Sequence, residues 1–176
     1  MAGPDGNDLP RDTAGGLLIR GECLFSGYWR DPVATTEAFT GDGWYRTGDI
    51  ARLTPDGYLY ILDRAKDMII SGGENIYPVE VEAVLARHPA VAEVAVIGLP
   101  DPTWGEAVHA VITPAAGSDA SAEEVIAWCR ERLAHFKCPK SAEFTGPLPR
   151  TTPGKVLNRE LRAQRAAALP PEGAGR

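Results

Sequence analysis

Two stretches of the chain hold the residues best suited to chemistry. The first is the loop Pro149-Arg150-Thr151-Thr152-Pro153-Gly154-Lys155. Its two prolines restrict the backbone, and Gly154 permits a sharp turn beside the lysine. A lysine presented in this way is a mobile point charge suited to an oxyanion or a phosphate. It is not a P-loop lysine: Gly146 lies off the required spacing, and Val156 stands where a serine or threonine must hold Mg2+. Taken alone, Lys155 reads more readily as a surface lysine at a helix start. The second stretch joins a charged run, Asp63-Arg64-Ala65-Lys66-Asp67, to the loop Ser71-Gly72-Gly73-Glu74-Asn75. The two glycines allow backbone N–H groups to approach a ligand closely.

Other candidates carry less. Trp104, between two strands, reads equally as a lid over a sheet or as an aromatic wall for a purine ring or an alkyl-amide arm. The histidines form no catalytic set. His88 precedes Pro89 at a helix end and suits capping, His109 alternates within a strand, and His135 neighbours Phe136. No Gly-x-Ser-x-Gly elbow is present. Cys138, near Lys137 and Lys140, has surroundings that lower a thiol pKa, but no base is in view and it reads as structural.

The elements that must position these residues differ between the two ends of the chain. The first third is turn-rich and β-rich: a turn at Asp5-Gly6-Asn7, a strand at 17–20, a short helix opened by Asp31-Pro32, a strand at 44–46, and a hairpin of 50–53 and 58–62 around Pro55-Asp56-Gly57. Its apolar residues are too few to close a core alone. Beyond the charged run, Pro78 at a first helical position opens a helix ending near His88-Pro89. Strands follow at 91–99 and 107–113. Ser121 and Glu124 then form a capping box for a helix with Val125, Ile126, Cys129 and Leu133 on its apolar face. A short strand at 141–144 and a helix at 156–166 complete an α-β-β-α-β-α order, an α+β unit with helices packed on a small sheet. The domains expected are residues 1–63, a hinge at 64–67, an α+β domain at 68–165 and a disordered tail at 166–176.

Bulk composition narrows the classes. A chain of 176 residues with 44% hydrophobic and 24% charged residues reads as an ordinary soluble protein. No apolar run reaches the length of a membrane span, and the N-terminus has no signal or transit pattern. Three cysteines without a CxxC suggest neither a disulfide framework nor a zinc site, and no other metal site is read from the residues present. The cytoplasm is the simplest compartment. The net charge of −6 hides a basic segment, 128–165, in which only Glu131, Glu143 and Glu160 oppose the lysines and arginines. Without aromatic interleaving or a groove-reading motif, a small anion suits this segment better than nucleic acid.

Six segments in order resemble the adenylate-forming, AMP-binding enzymes: acyl-CoA synthetases, adenylation domains of peptide synthetases, and luciferases. They are Leu24–Trp29 (LFSGYW), Gly43–Asp49 (GWYRTGD), Asp63–Asp67 (DRAKD), Ser71–Glu82 (SGGENIYPVEVE), Phe136–Lys140 (FKCPK) and Pro149–Lys155. The resemblance implies a carboxylate attacking the α-phosphate of Mg·ATP, then a thiol, usually CoA, displacing AMP. It implies that Asp49 accepts from the ribose hydroxyls, that Arg64 lies near ribose and phosphate, and that Lys66 is the hinge. Lys155 would bridge carboxylate and α-phosphate, where a cation offsets repulsion that grows in the transition state. Gly72 and Gly73 would approach the pantetheine arm, with Trp104, Phe136 and Lys140 near CoA.

The same resemblance implies that residues 1–63 are the β-rich end of a large N-terminal domain. The acyl pocket, the phosphate loop and the Mg2+-binding glutamate would belong to the missing part of that domain. Gly16 departs from a frequent glutamate, Cys138 occupies a position that is basic in some relatives, and Asp63 before Arg64 points toward fatty-acyl members. The expected function is therefore the C-terminal portion of an AMP-forming acyl-CoA synthetase of fatty-acyl type, inactive without its large domain. A chain ending soon after Lys155 favours free CoA over a carrier protein. The competing expectations are a stand-alone module that binds CoA or complements a separate domain, and a truncated product without activity. Pro149–Lys155 also resembles the segment at which such synthetases are acetylated on lysine, making an acetyltransferase an expected partner of Lys155.

Overall fold

A computed structural model describes residues 1–3 and 6–167. The chain divides into two compact units, Met1–Lys66 and Asp67 onward. In the first, β1 (Ala14–Ile19), β2 (Tyr45–Leu53) and β3 (Leu59–Arg64) form an antiparallel sheet in that order, and α1 (Pro32–Ala38) precedes β2. Asp31 caps α1 by accepting from Ala34 N–H at 2.9 Å, with Pro32 opening the helix. Residues 44–46 and 50–53, expected as separate strands, belong to one: Gly48 takes a φ of 75° within it, and a register shift against β3 follows between Ile50 and Ala51. Among the described residues of this unit only Ala2 and Ala51 are buried apolar residues, while Phe25, Tyr28, Phe39 and Tyr45 make a half-exposed aromatic cluster. The expected turn at 5–7 lies partly outside the described residues.

The second unit holds the cores. Its sheet runs β5 (Glu74–Ile76), β4 (Ile69–Ser71), β7 (Gly105–Pro114), β6 (Val91–Asp101), and β8 (Ser141–Phe144) lies parallel to β7. Alternation along β6 and β7 feeds both faces. Val96, Val108, Ala110 and Ile112 pack with Val81 and Leu85 of α2 (Pro78–Leu85) and with Val125 and Cys129 of α3 (Ala122–Arg130). Ala95, Ile97, Leu99 and Val111 pack with Leu148 and with Leu161 of α4 (Asn158–Ala166). Burial on both faces explains why β6 and β7 read as nearly continuous apolar runs, and the unit is α+β. The capping box forms: Ser121 Oγ accepts from Glu124 N–H, and Glu124 Oε2 accepts from Ser121 N–H at 2.7 Å.

Three expectations are corrected. The 71–75 loop is a hairpin, with β4 and β5 paired Ile69–Ile76, Ile70–Asn75 and Ser71–Glu74 around Gly72-Gly73. The helix opened by Pro78 ends at Leu85, not near His88, because Pro89 disfavours helical backbone at the residue before it and tight turns at Arg87 and His88 finish the segment. The last helix starts at Asn158, since Val156 pairs with Arg150 across the lysine loop. The expected tail from 168 onward lies outside the described residues, and Ala166 is the last residue of α4.

Candidate functional site

The β4–β5 hairpin places two glycines where only glycine fits easily. Gly72 and Gly73 have φ values of 60° and 85°, the pair of left-handed residues that a two-residue hairpin demands. Gly72 also lies under Trp104: a Cβ there would sit 2.8 Å from the indole. Trp104 belongs to the β6–β7 turn, where Asp101 Oδ1 accepts from Thr103 N–H and Trp104 N–H, each at 2.9 Å. Gly72 N–H donates to Trp104 O at 2.8 Å, joining the two turns. Lys140 Nζ stands 5.6 Å from the Trp104 ring centroid, close enough for a cation–π contact. The structure thus gathers Gly72, Trp104 and Lys140 into one exposed patch, a cation beside an aromatic face. Such a patch suits an organic ligand carrying phosphate. Phe136 is held separately in a 3-10 turn, His135–Lys137, its half-exposed ring 5.7 Å from Lys137 Nζ.

Lys155 sits on a different hairpin. Thr151 N–H donates to Lys155 O at 2.8 Å, Gly154 N–H to Thr151 O at 2.8 Å, and Lys155 N–H to Thr151 Oγ1 at 3.1 Å. Gly154 takes the left-handed position of this three-residue loop, with a φ of 92°. Arg150 braces it, donating to Gly154 O at 2.6 Å and pairing with Glu93 at 2.9 Å. The backbone under Lys155 is therefore pinned, and the residue itself is exposed. Glu93 faces Thr113 at the open end of the β6–β7 ladder, whereas Asp101 faces Gly105 at the Trp104 end. Eight residue steps along the strand separate the two, about 25 Å. Lys155 and the Trp104 patch occupy opposite ends of the second unit.

In the first unit Asp49 and Arg64 are register partners across β2 and β3, and Arg64 Nε meets Asp49 Oδ1 at 2.8 Å. Asp49 is mostly buried and Arg64 half exposed. Ala65 N–H donates to Gly48 O at 2.8 Å, so pairing runs to the end of this unit, where Lys66 is exposed. Asp67 begins the second unit, and its carboxylate lies 3.7 Å from Arg162 of α4.

The remaining polar groups are structural. Burial pushes the Cys138 thiol up, and the cations beside it offset only part of that rise. Cys129 is pushed up to about 11, again mainly by burial. Cys23 is exposed. His88 Nδ1 accepts from Ala90 N–H at 3.2 Å, a local cap, and its ring meets Trp128 edge-on. His109 is buried, with Nδ1 2.8 Å from Ser141 Oγ and Nε2 3.9 Å from Glu143. Burial lowers its pKa, Glu143 opposes the shift and Arg165 adds to it. Sequence reading missed the Lys137–Glu80 pair, 2.7 Å and bidentate, which ties the 3-10 turn to the start of α2. It also missed Glu106, whose Oε2 accepts from Ile70 N–H at 2.8 Å. Neither pairing has a local sequence signal. Among the described residues no group of three or more His, Cys, Asp or Glu is placed to hold a metal ion.

Comparison with known proteins gives these arrangements a family. Residues 80–155 match the AMP-binding enzyme C-terminal domain. A feruloyl-CoA synthase from an Amycolatopsis species is 51% identical across 92% of this chain and 33% of its own length. A long-chain fatty-acid–CoA ligase of Mycobacterium tuberculosis is 48% identical across 89% of this chain and 31% of its own. Among solved structures, ATP-bound MatB from Rhodopseudomonas palustris aligns with a TM-score of 0.90 at 38% identity, covering 95% of this chain and 33% of that one. The chain thus spans about a third of the length of the curated relatives it matches. Residues 80–155 are the C-terminal domain of the AMP-binding enzymes, and the chain corresponds to the C-terminal portion of the acyl-CoA ligases it matches.

Proposed function

We propose that this chain works with a large N-terminal AMP-binding domain to join a carboxylic acid to CoA, with ATP converted to AMP and pyrophosphate. The observation that carries the reading is the placement of Lys155 and the Gly72–Trp104–Lys140 patch at opposite ends of one β-ladder. One point in a partner domain cannot meet both at once, so two successive half-reactions with a turn about Lys66 between them fit the arrangement. In the first, Lys155 lies between the acid carboxylate and the α-phosphate, and Asp49 with its half-exposed partner Arg64 receives the ribose. In the second, the patch and Phe136 hold CoA, which supplies the thiol. ATP arrives with Mg2+, for which the described residues offer no cluster, so its ligands are assigned to the partner domain.

For the acid we take a fatty acid, on Asp63 before Arg64 and on the M. tuberculosis relative. The feruloyl relative makes an aromatic acid the competitor. A cytoplasmic setting suits three free thiols. The exposed Lys155 is also open to acetylation, which would remove the charge it contributes.

The test supplies an AMP-binding domain from a relative and follows the half-reactions separately. Lys155→Ala should abolish carboxylate-dependent pyrophosphate release while sparing thioester formation from preformed acyl-adenylate. Equal losses in both would refute its role. A second reading, a module that binds CoA without catalysis, is favoured by one observation: the patch is complete within the second unit. Calorimetry that shows no heat on adding CoA to the chain alone would exclude it.

A further inference from the structure

Glu106 pairs with Pro100 in the β6–β7 ladder, yet its side chain serves another strand. Its Oε2 accepts from Ile70 N–H of β4 at 2.8 Å. Backbone pairing between β4 and β7 is confined to Ser71 opposite Gly105, followed by the Gly72 N–H to Trp104 O bond. Gly105, with a φ of 78°, breaks the regular strand conformation at that point. The carboxylate continues the pairing where the β7 backbone does not, and a charged acceptor makes this bond stronger than a neutral one.

Gly98 on β6 supplies the room. A Cβ there would lie 2.8 Å from Glu106 Oε1 and 2.9 Å from Cδ. Gly98 is not left-handed, so space for the carboxylate, not backbone strain, is what calls for glycine.

We infer that Glu106 is a positioning residue: it holds the Gly72-Gly73 hairpin against the Trp104 turn and so presents the patch to the thiol substrate. This rests on the proposed role of that patch in binding CoA. Four contacts tie hairpin to turn: Glu106 to Ile70, Ser71 to Gly105, Gly72 to Trp104 through the backbone, and the indole over Gly72. Only the Glu106 bond can be removed without altering the patch itself.

The experiment uses the isotope-labelled full chain, with amide hydrogen exchange at Ile70 and Gly72 and CoA titration followed at the Trp104 indole signal. Glu106→Ala should speed exchange at both amides roughly tenfold or more and weaken CoA binding to a similar degree. Gly98→Ala, which displaces the carboxylate without deleting it, should do the same. Glu106→Gln keeps an acceptor oxygen and should stay within about threefold of wild type. Amides in the centre of β6 and β7 should be unaffected in all three, which separates loss of position from loss of fold. Unchanged exchange at Ile70 and Gly72 in Glu106→Ala would overturn the role of Glu106 and leave the thiol reading standing. Faster exchange with unaltered CoA affinity would overturn it equally. A wild-type chain whose Trp104 signal ignores CoA both alone and with an AMP-binding domain supplied would refute the thiol reading itself, whatever the variants show.

Discussion

Asp49 and Arg64 stand opposite one another because β2 and β3 pair in register, and they meet in an ion pair that is half open to solvent. Arg64 is half exposed but its loss leaves the mostly buried Asp49 carboxylate without its cation, so Arg64→Ala should cost about 1–3 kcal/mol in urea unfolding. The same variant should lose most of its adenylation rate once an AMP-binding domain is supplied. Measuring both on one preparation separates a nucleotide contact from a strut. His109 offers a pH test. Burial holds its folded pKa below the ordinary 6.5, so near and below that pH the unfolded chain binds a proton that the folded chain refuses. Its contribution is fully present above 6.5 and is lost as pH falls below it. Replacing His109 with Gln should flatten the acid side of the stability profile below the ordinary histidine value of 6.5, followed by thermal melts. An unchanged slope would mean that the carboxylates alone set it.

Gly72 and Gly73 look alike in sequence, but the hairpin treats them differently. Both are left-handed, which costs an alanine roughly 1 kcal/mol. Gly72 has the indole above it as well, while nothing lies within 4 Å of a Cβ at Gly73. Gly72→Ala should therefore destabilise by more than about 2 kcal/mol and Gly73→Ala by about 1, by denaturant titration. On α4, Leu161 is the buried anchor, and Leu161→Ala should cost about 2–5 kcal/mol in the same titration.

What could be read from sequence at this scale was local chemistry. Ser121 with Glu124, Pro78 at a helix start, Asp31 before Pro32 and the apolar runs of β6 and β7 each signal within a few residues. The three-residue strands β4 and β5 carry too few side chains to show a period, so a hairpin passed for a loop. The candidate residues stood out one by one, and that Gly72, Trp104 and Lys140 lie together was implied by the resemblance, not by their spacing. The contact of Gly72 with Trp104, the bond of Glu106 to Ile70 and the pairing of Lys137 with Glu80 join distant residues that meet only after the sheet is assembled. Placing Lys155 and Trp104 at opposite ends likewise needed the register of β6 on β7.

Across the whole chain the apolar interior is unevenly shared. Both core clusters lie beyond Lys66, whereas the first unit leaves Trp29 at 86% and Tyr58 at 65% of full exposure. Amides of β6 and β7 should be the slowest to exchange, and limited proteolysis should cut the first unit well before the second. Cleavage first within β6 or β7 would contradict that ranking. The three thiols follow the same division. Cys23 is exposed in the first unit, while Cys129 and Cys138 are sealed in the second with their pKa values raised. A maleimide at neutral pH would thus meet a chain with one natural labelling site, and a dye could be attached at Cys23 without engineering. The two hidden sulfurs would then act as a clock, since the rate at which they become modified counts the openings of the second unit.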